Sequence, residues 1–125
     1  MNYTDIPILM YHEISDLDNP WCVTPENFAE QMKFLQEQGY KTINLTQLRE
    51  GIEAKKEMTE KLIVLTFDDG RKGAYDFAFP VLQKYGFTAT VYVIPQWIER
   101  GSIPVLEQYS EFMNRQELLQ LSAAG

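Results

Sequence analysis

The run Leu62–Phe67 constrains the fold more than any other feature, because every one of its residues is apolar or β-branched. A strand that is apolar on both faces is typical of a parallel sheet covered by helices, whereas a half-exposed antiparallel strand alternates apolar and polar residues. The run ends abruptly in Asp68, Asp69 and Gly70. This pattern predicts an α/β fold with two carboxylates at the carboxyl end of a buried strand.

The rest of the chain alternates between strand and helix character, which also favours parallel strands. The predicted elements are a strand at 6–11, a helix at 25–38, a strand at 41–45, a helix at 46–56, the strand at 62–67, a segment of helical periodicity at 72–85, a strand at 88–94, an irregular aromatic segment at 95–110 and a helix at 115–125. A closed (β/α) barrel usually needs roughly 250 residues. The pattern therefore corresponds to about half of one.

Single residues set the expected ends and faces of the helices. Thr24 is the predicted cap of the first helix. In the second helix, Leu48 and Ile52 are expected to face inward because they lie four residues apart. Pro80 predicts either a kink in its segment or a helix that begins near Phe79.

The net charge of −7 argues against nucleic acid and anionic membrane surfaces as partners, since both attract clustered Lys and Arg. The single cysteine excludes an internal disulfide and a CxxC metal site. No segment approaches the ~20 apolar residues of a membrane span, and the N-terminus shows no signal peptide. A cytoplasmic location is the default expectation, with a leader removed from the precursor as the alternative.

The acidic pair is the first candidate for chemistry. Adjacent carboxylates at the end of a buried strand lose hydration and repel each other. A bound divalent cation usually compensates their negative charge. Sites in α/β folds lie beyond the carboxyl ends of parallel strands. Gly70 permits the sharp turn that brings both side chains to one cavity. The alternative is an ordinary exposed turn, since Asp and Gly both favour turns.

The chain resembles the polysaccharide deacetylase family, also called the NodB-homology or carbohydrate esterase 4 family, and within it the poly-N-acetylglucosamine deacetylase branch. The resemblance rests on residues 8–12, Phe28, Gln31, Met32, Leu35, Gly39, Tyr40, Leu45, Leu48, 65–70, 78–82 and 88–93. It implies that residues 1–125 are part of one such domain, the incomplete N-terminal part of a distorted TIM-like (β/α) barrel. It also implies metal-dependent hydrolysis of N-acetyl groups on a hexosamine polysaccharide, in a family that often acts at or beyond the cell envelope.

The resemblance also assigns roles to residues. Asp68 matches the general base of the family, and Asp69 matches a ligand of a divalent ion, most often Zn²⁺. The family takes its other ligands from two histidines in a His-x-x-x-His segment and its acid from a later histidine. The only histidine of this sequence is His12. Since a catalytic Zn²⁺ normally takes three protein ligands, we expect the isolated chain to be inactive.

Other residues are weaker candidates for the site. His12 follows the first predicted strand, so it is expected either to face the acidic pair or to be a packed histidine that closes the strand. Tyr11 and Trp97 are candidate sugar-stacking residues, with Trp97 favoured because it follows a strand, whereas Tyr92 is expected in the core. Arg71 and Lys72 directly follow Gly70, so they are expected either to solvate the start of a helix or to offset the acidic pair.

Two other interpretations remain at this point. A receiver-like domain also binds Mg²⁺ through an acidic pair, but the predicted strand at 88–94 ends in Pro95 rather than in the phospho-acceptor Asp that such domains need. A deacetylase-like fragment that binds glycan, or that is only structural, is the stronger rival. Open strand edges in half a barrel would also favour a homo-oligomer.

Overall fold

A computed structural model describes residues 1–100 and 111–125, and its centre is a parallel sheet. The strands are β1 Ile8–Tyr11, β2 Glu13–Ile14, β3 Cys22–Val23, β4 Lys41–Thr42, β5 Leu62–Phe67 and β6 Thr90–Val91. The helices are α1 Pro25–Glu37, α2 Leu45–Glu53, α3 Phe79–Tyr85, α4 Pro95–Arg100 and α5 Arg115–Ala124, with a 3-10 turn at Tyr3–Asp5 and a π-helical turn at Ala74–Ala78. Within those ranges no helix has the length and apolar content that a membrane crossing requires.

Strand β5 lies in the middle of the sheet and pairs in parallel on both sides. Strand β1 pairs along one side, with Tyr11 opposite Phe67. On the other side, β4 pairs with the amino end of β5 and β6 pairs with its carboxyl end, where Thr66 lies opposite Thr90. The predicted α/β fold with parallel strands is confirmed, and the carboxyl ends of β1, β5 and β6 meet at one edge.

The two faces of β5 are covered by different helices, so every residue of the strand is buried as predicted. Leu65 and Phe67 pack in one cluster with residues of α1 and α3, among them Phe28. Leu62 and Val64 pack on the opposite face in a second cluster that includes Leu48 of α2. Burial of an apolar side chain stabilises the fold by about 1.5–3 kcal/mol, so this strand anchors the sheet.

The helix ends largely follow local sequence signals. The side chain of Thr24 caps α1 by accepting a hydrogen bond from the Asn27 backbone amide at 3.2 Å, as predicted. Asn44 caps α2, which therefore begins one residue earlier than predicted. The predicted helix start near Phe79 is confirmed, and the irregularity before Pro80 takes the form of the π-helical turn.

Several expected features differ in the structure. Ile52 is 41% exposed because α2 packs through Leu48 and Gly51, with the Tyr3 ring lying directly on Gly51. Tyr92 is 53% exposed rather than in the core, and it follows the two-residue β6 instead of lying within a longer strand. Residues 95–100 are helical rather than irregular, and the remainder of that expectation, 101–110, lies outside the described residues.

Candidate active site

The carboxyl ends of β1 and β5 bring His12 and Asp68 together. Each residue directly follows its strand, and the Asp68 amide donates to the Tyr11 carbonyl at 2.9 Å. The Nε2 atom of His12 lies 3.7 Å from Oδ2 of Asp68, and both side chains are about one quarter to one third exposed, at 25% and 30%. A carboxylate with this exposure can exchange protons with water or substrate.

Asp69 pairs with Arg71. Its φ of +76° and that of Gly70, +70°, place two successive residues in the left-handed region, which produces the sharp turn after β5. Nε and Nη2 of Arg71 each lie 3.2 Å from Oδ2 of Asp69. The guanidinium also lies over the Phe112 ring at 5.3 Å. Arg71 therefore offsets part of the acidic charge, one of its two expected roles.

The acidic pair by itself does not form a metal site of the usual ligand number. Among residues 1–100 and 111–125, no group of three or more His, Cys, Asp or Glu side chains is arranged to hold an ion. Asp69 offers a hard carboxylate donor, and a carboxylate that accepts from Arg71 at Oδ2 retains further acceptor capacity. The donor chemistry suits a divalent cation, but Asp69 would be one ligand, and a catalytic zinc normally takes three from the protein.

Tyr11 lies in the core, which corrects its expected contact with substrate. The side chain is 6% exposed, and its ring packs 5.1 Å from that of Phe28 and 5.3 Å from that of Phe67. Its hydroxyl donates to Oε1 of Gln31 at 2.7 Å. Burial disfavours the phenolate and raises the pKa of Tyr11 to about 12. The alternation along β1 points this residue toward α1, and the sequence did not show which face α1 would cover.

Trp97 lies on α4 and not in a loop. Its indole is partly buried and packs against Phe112 with ring centroids 4.8 Å apart. Contact with a sugar ring therefore stays a prediction for Trp97, and it would involve the part of the indole that Phe112 leaves uncovered.

Two further charged residues near the site, Glu13 and Lys72, make pairings that the sequence did not predict. Lys72 was expected either to solvate the start of a helix or to offset the acidic pair. Glu13 is 3% exposed and accepts hydrogen bonds at Oε1 from the amides of Ile14 and Gly73. Lys72 joins the turn after β5 to α5 through its ammonium, 2.5 Å from Oε1 of Glu117. This hydrogen bond raises the pKa of Lys72 above its ordinary value. Both pairings join residues far apart in the chain, so no local pattern marks them.

Comparison with known proteins identifies the lineage of this fold. The profile of the family described as polysaccharide deacetylase matches residues 55–125, more than half of the chain. The chain belongs to the polysaccharide deacetylase family. YxkH of Bacillus subtilis, assigned as a polysaccharide deacetylase, is 40% identical over 106 residues, 85% of this chain and 38% of the relative. The poly-β-1,6-N-acetyl-D-glucosamine N-deacetylase of Escherichia coli K12 is 32% identical over 87 residues, 70% of this chain and 13% of that protein.

Solved structures agree on the fold of this deacetylase-family chain. The Streptococcus pyogenes deacetylase PplD, solved with acetate, superposes with a TM-score of 0.79 and 28% identity, over 96% of this chain and 53% of its own. IcaB from Ammonifex degensii superposes with a TM-score of 0.81 and 22% identity, over 96% of this chain and 48% of its own. The fold is thus part of the NodB-type, TIM-like barrel, and the chain spans about half of each solved structure. Family membership replaces the receiver-like interpretation.

Proposed function

We propose that this chain supplies the carboxylate pair of a metal-dependent deacetylase that hydrolyses N-acetyl groups of a hexosamine polysaccharide. The observation that carries the proposal is the placement of Asp68 and Asp69 at the carboxyl end of β5, with His12 3.7 Å from Asp68. That edge of a parallel barrel is where active sites of this architecture form. Membership of the deacetylase family, and the named activity of the E. coli relative, indicate the substrate class.

In this proposal Asp68 is the general base. Its partly exposed carboxylate would accept a proton from the water that attacks the acetamide carbonyl. His12 would restrict the orientation of that carboxylate, since its ring lies beside Oδ2 at the end of the neighbouring strand. Water attack on the amide carbon breaks the C–N bond and gives acetate and a free amine. A separate acid must protonate that amine.

Asp69 is the proposed ligand of a divalent ion, and zinc is the ion that we propose from the family resemblance. When bound, such an ion would act as a Lewis acid toward the acetamide. Arg71 would hold the Asp69 carboxylate in place through Oδ2. Since His12 is the only histidine of the sequence, a histidine pair for the ion is missing from it. We therefore expect no hydrolysis by the isolated chain.

A chimera tests the proposed function directly. In the E. coli poly-β-1,6-N-acetyl-D-glucosamine deacetylase, the segment matched by this chain would be replaced with the corresponding residues of this chain. The folded chimera should release acetate from N-acetylglucosamine oligomers, and Asp68→Asn within it should reduce the rate at least about 100-fold, as expected for loss of a general base. A folded chimera that is inactive, or whose activity survives Asp68→Asn, would contradict the proposal.

Metal titration separates the enzymatic interpretation from a fragment that only binds glycan. Calorimetric titration with Zn²⁺ should detect weak binding to the chain, and Asp69→Asn should abolish it. Asp18→Asn, which removes a carboxylate from an exposed loop, is the matched control and should leave binding unchanged. Binding of chitooligosaccharide with no zinc binding at all would favour the non-catalytic alternative.

A further inference from the structure

The turn that carries the acidic pair is attached at both ends to the short segment that carries His12. At its start, the Asp68 amide donates to the carbonyl of Tyr11 at 2.9 Å. At its end, the Gly73 amide donates to Oε1 of Glu13 at 3.0 Å. His12 lies between the two anchoring residues in the sequence, so the turn and the histidine share one support.

Glu13 makes this second attachment from a buried position. Its side chain is 3% exposed, and the same Oε1 also accepts from the amide of Ile14 at 3.0 Å. Burying a carboxylate is costly unless it is hydrogen-bonded, and these two amide donors offset part of that cost. A carboxylate kept at this cost, one residue from His12, is unlike an ordinary core side chain.

The close fit at Gly73 shows how tightly the turn is held. A Cβ atom at this position would lie 1.9 Å from Oε1 of Glu13 and 2.1 Å from the carbonyl oxygen of Ile14. Neither distance is compatible with a side chain, so the backbone of the turn lies directly against β2.

We propose that Glu13 is a positioning residue for the proposed base Asp68. Its carboxylate holds the turn 68–73 in the position that sets the distance between Asp68 and His12. The inference builds on the role proposed for Asp68. The test of Glu13 does not measure hydrolysis, however. Failure of the positioning role can therefore be distinguished from failure of the general-base role. The hydrogen bond to the Gly73 amide requires residue 13 to place an oxygen at the distance of Oε1, which Gln can do and the shorter Asp cannot.

The single histidine provides a site-specific reporter. In ¹H–¹³C NMR spectra at constant pH, the imidazole resonances of His12 should move in Glu13→Asp, which keeps the charge but lacks the reach. They should stay near the wild-type position in Glu13→Gln, which keeps an oxygen at the same distance. The control is Leu48→Ala, which destabilises the second core cluster on the opposite face of β5 and should leave the resonances unmoved.

Two results would overturn the inference. One is a His12 signal that stays at the wild-type position in folded Glu13→Asp, and the other is a signal that moves equally in Glu13→Asp and Leu48→Ala. A measurement on the unchanged protein covers the case in which Glu13→Asp does not fold. If Glu13 holds the turn, the Gly73 amide should exchange with solvent as slowly as the Asp68 amide. Rapid exchange of the Gly73 amide would show that the attachment does not persist.

Discussion

The Nε2 atom of His12 lies 3.7 Å from Oδ2 of Asp68, although the two residues follow different strands. The parallel register explains the proximity. Tyr11 lies opposite Phe67, and His12 and Asp68 are the residues that directly follow them. The relationship is therefore a property of the sheet. It also makes His12 a reporter of the carboxylate beside it.

We predict that Asp68→Asn moves the His12 imidazole resonances much further than Asp69→Asn does. Asp68 is the carboxylate next to the ring, whereas the carboxylate of Asp69 pairs with Arg71. The measurement is a pair of ¹H–¹³C spectra at constant pH, with Asp18→Asn as the exposed control. Equal shifts in the two site variants would mean that His12 does not distinguish the two carboxylates in solution.

Asp69 should tolerate Asn better than Ala. Its φ is +76°, a conformation that Asn and Asp adopt more readily than other residues with a side chain. Both variants lose the charge that pairs with Arg71, and Asn differs from Ala in its preference for this backbone conformation and in keeping an oxygen that can accept from the guanidinium. We expect Asp69→Ala to lower the free energy of unfolding by about 1 kcal/mol more than Asp69→Asn. Urea denaturation measures both values, and equal stabilities would argue against the left-handed conformation.

Tyr11 should make the fold sensitive to alkali. Burial raises the pKa of Tyr11 to about 12 from its ordinary 10. Between these pH values the unfolded chain loses the phenolic proton while the folded chain retains it, so stability falls as pH rises. The loss amounts to about 2–3 kcal/mol.

The matching variant is Tyr11→Phe, which loses the hydrogen bond to Gln31. It should be about 1 kcal/mol less stable at pH 7 but should lose less stability above pH 10. Urea midpoints measured from pH 7 to 12 give both slopes. If the urea midpoints of the wild type and Tyr11→Phe fell in parallel above pH 10, Tyr11 would not be the group whose ionisation lowers the stability.

The Lys72–Glu117 pair should anchor α5 to the site. The two groups lie 2.5 Å apart with Glu117 only 13% exposed, and α5 has no fully buried residue of its own. Glu117→Gln should increase amide exchange throughout α5 and cost about 1–2 kcal/mol. The exposed Arg49–Glu53 pair supplies the control, since Glu53→Gln should cost less than about 0.5 kcal/mol. Unchanged exchange in α5 would show that its apolar contacts suffice.

The outer edge of β1 should promote self-association. Ile8 is 49% exposed and Met10 is 64% exposed, and β1 pairs only with β5 among the described residues. An apolar edge of this kind can pair with another chain. Sedimentation velocity should show concentration-dependent association that Met10→Lys suppresses, while Ile52→Lys on α2 does not. A monomer at every concentration would refute the expected homo-oligomer.

Local signals account for the parts of the structure that the sequence analysis predicted. The apolar run at 62–67 identified the buried strand, Thr24 identified a helix start, and Gly70 identified the sharp turn. Each of these features depends on neighbouring residues or on backbone conformation, which a sequence carries directly. The same run also placed the acidic pair at a carboxyl strand end.

The sequence by itself determined the class of fold and the identity of the carboxylate pair. Only the tertiary structure decided that Tyr11 is buried, that Ile52 and Tyr92 are exposed, and that Glu13 accepts a hydrogen bond from the Gly73 amide. Burial and long-range hydrogen bonds depend on which faces of distant elements meet, and hydrophobic periodicity does not encode that choice. For this reason the residues that support the candidate site became visible only once β1, β2 and β5 were placed side by side.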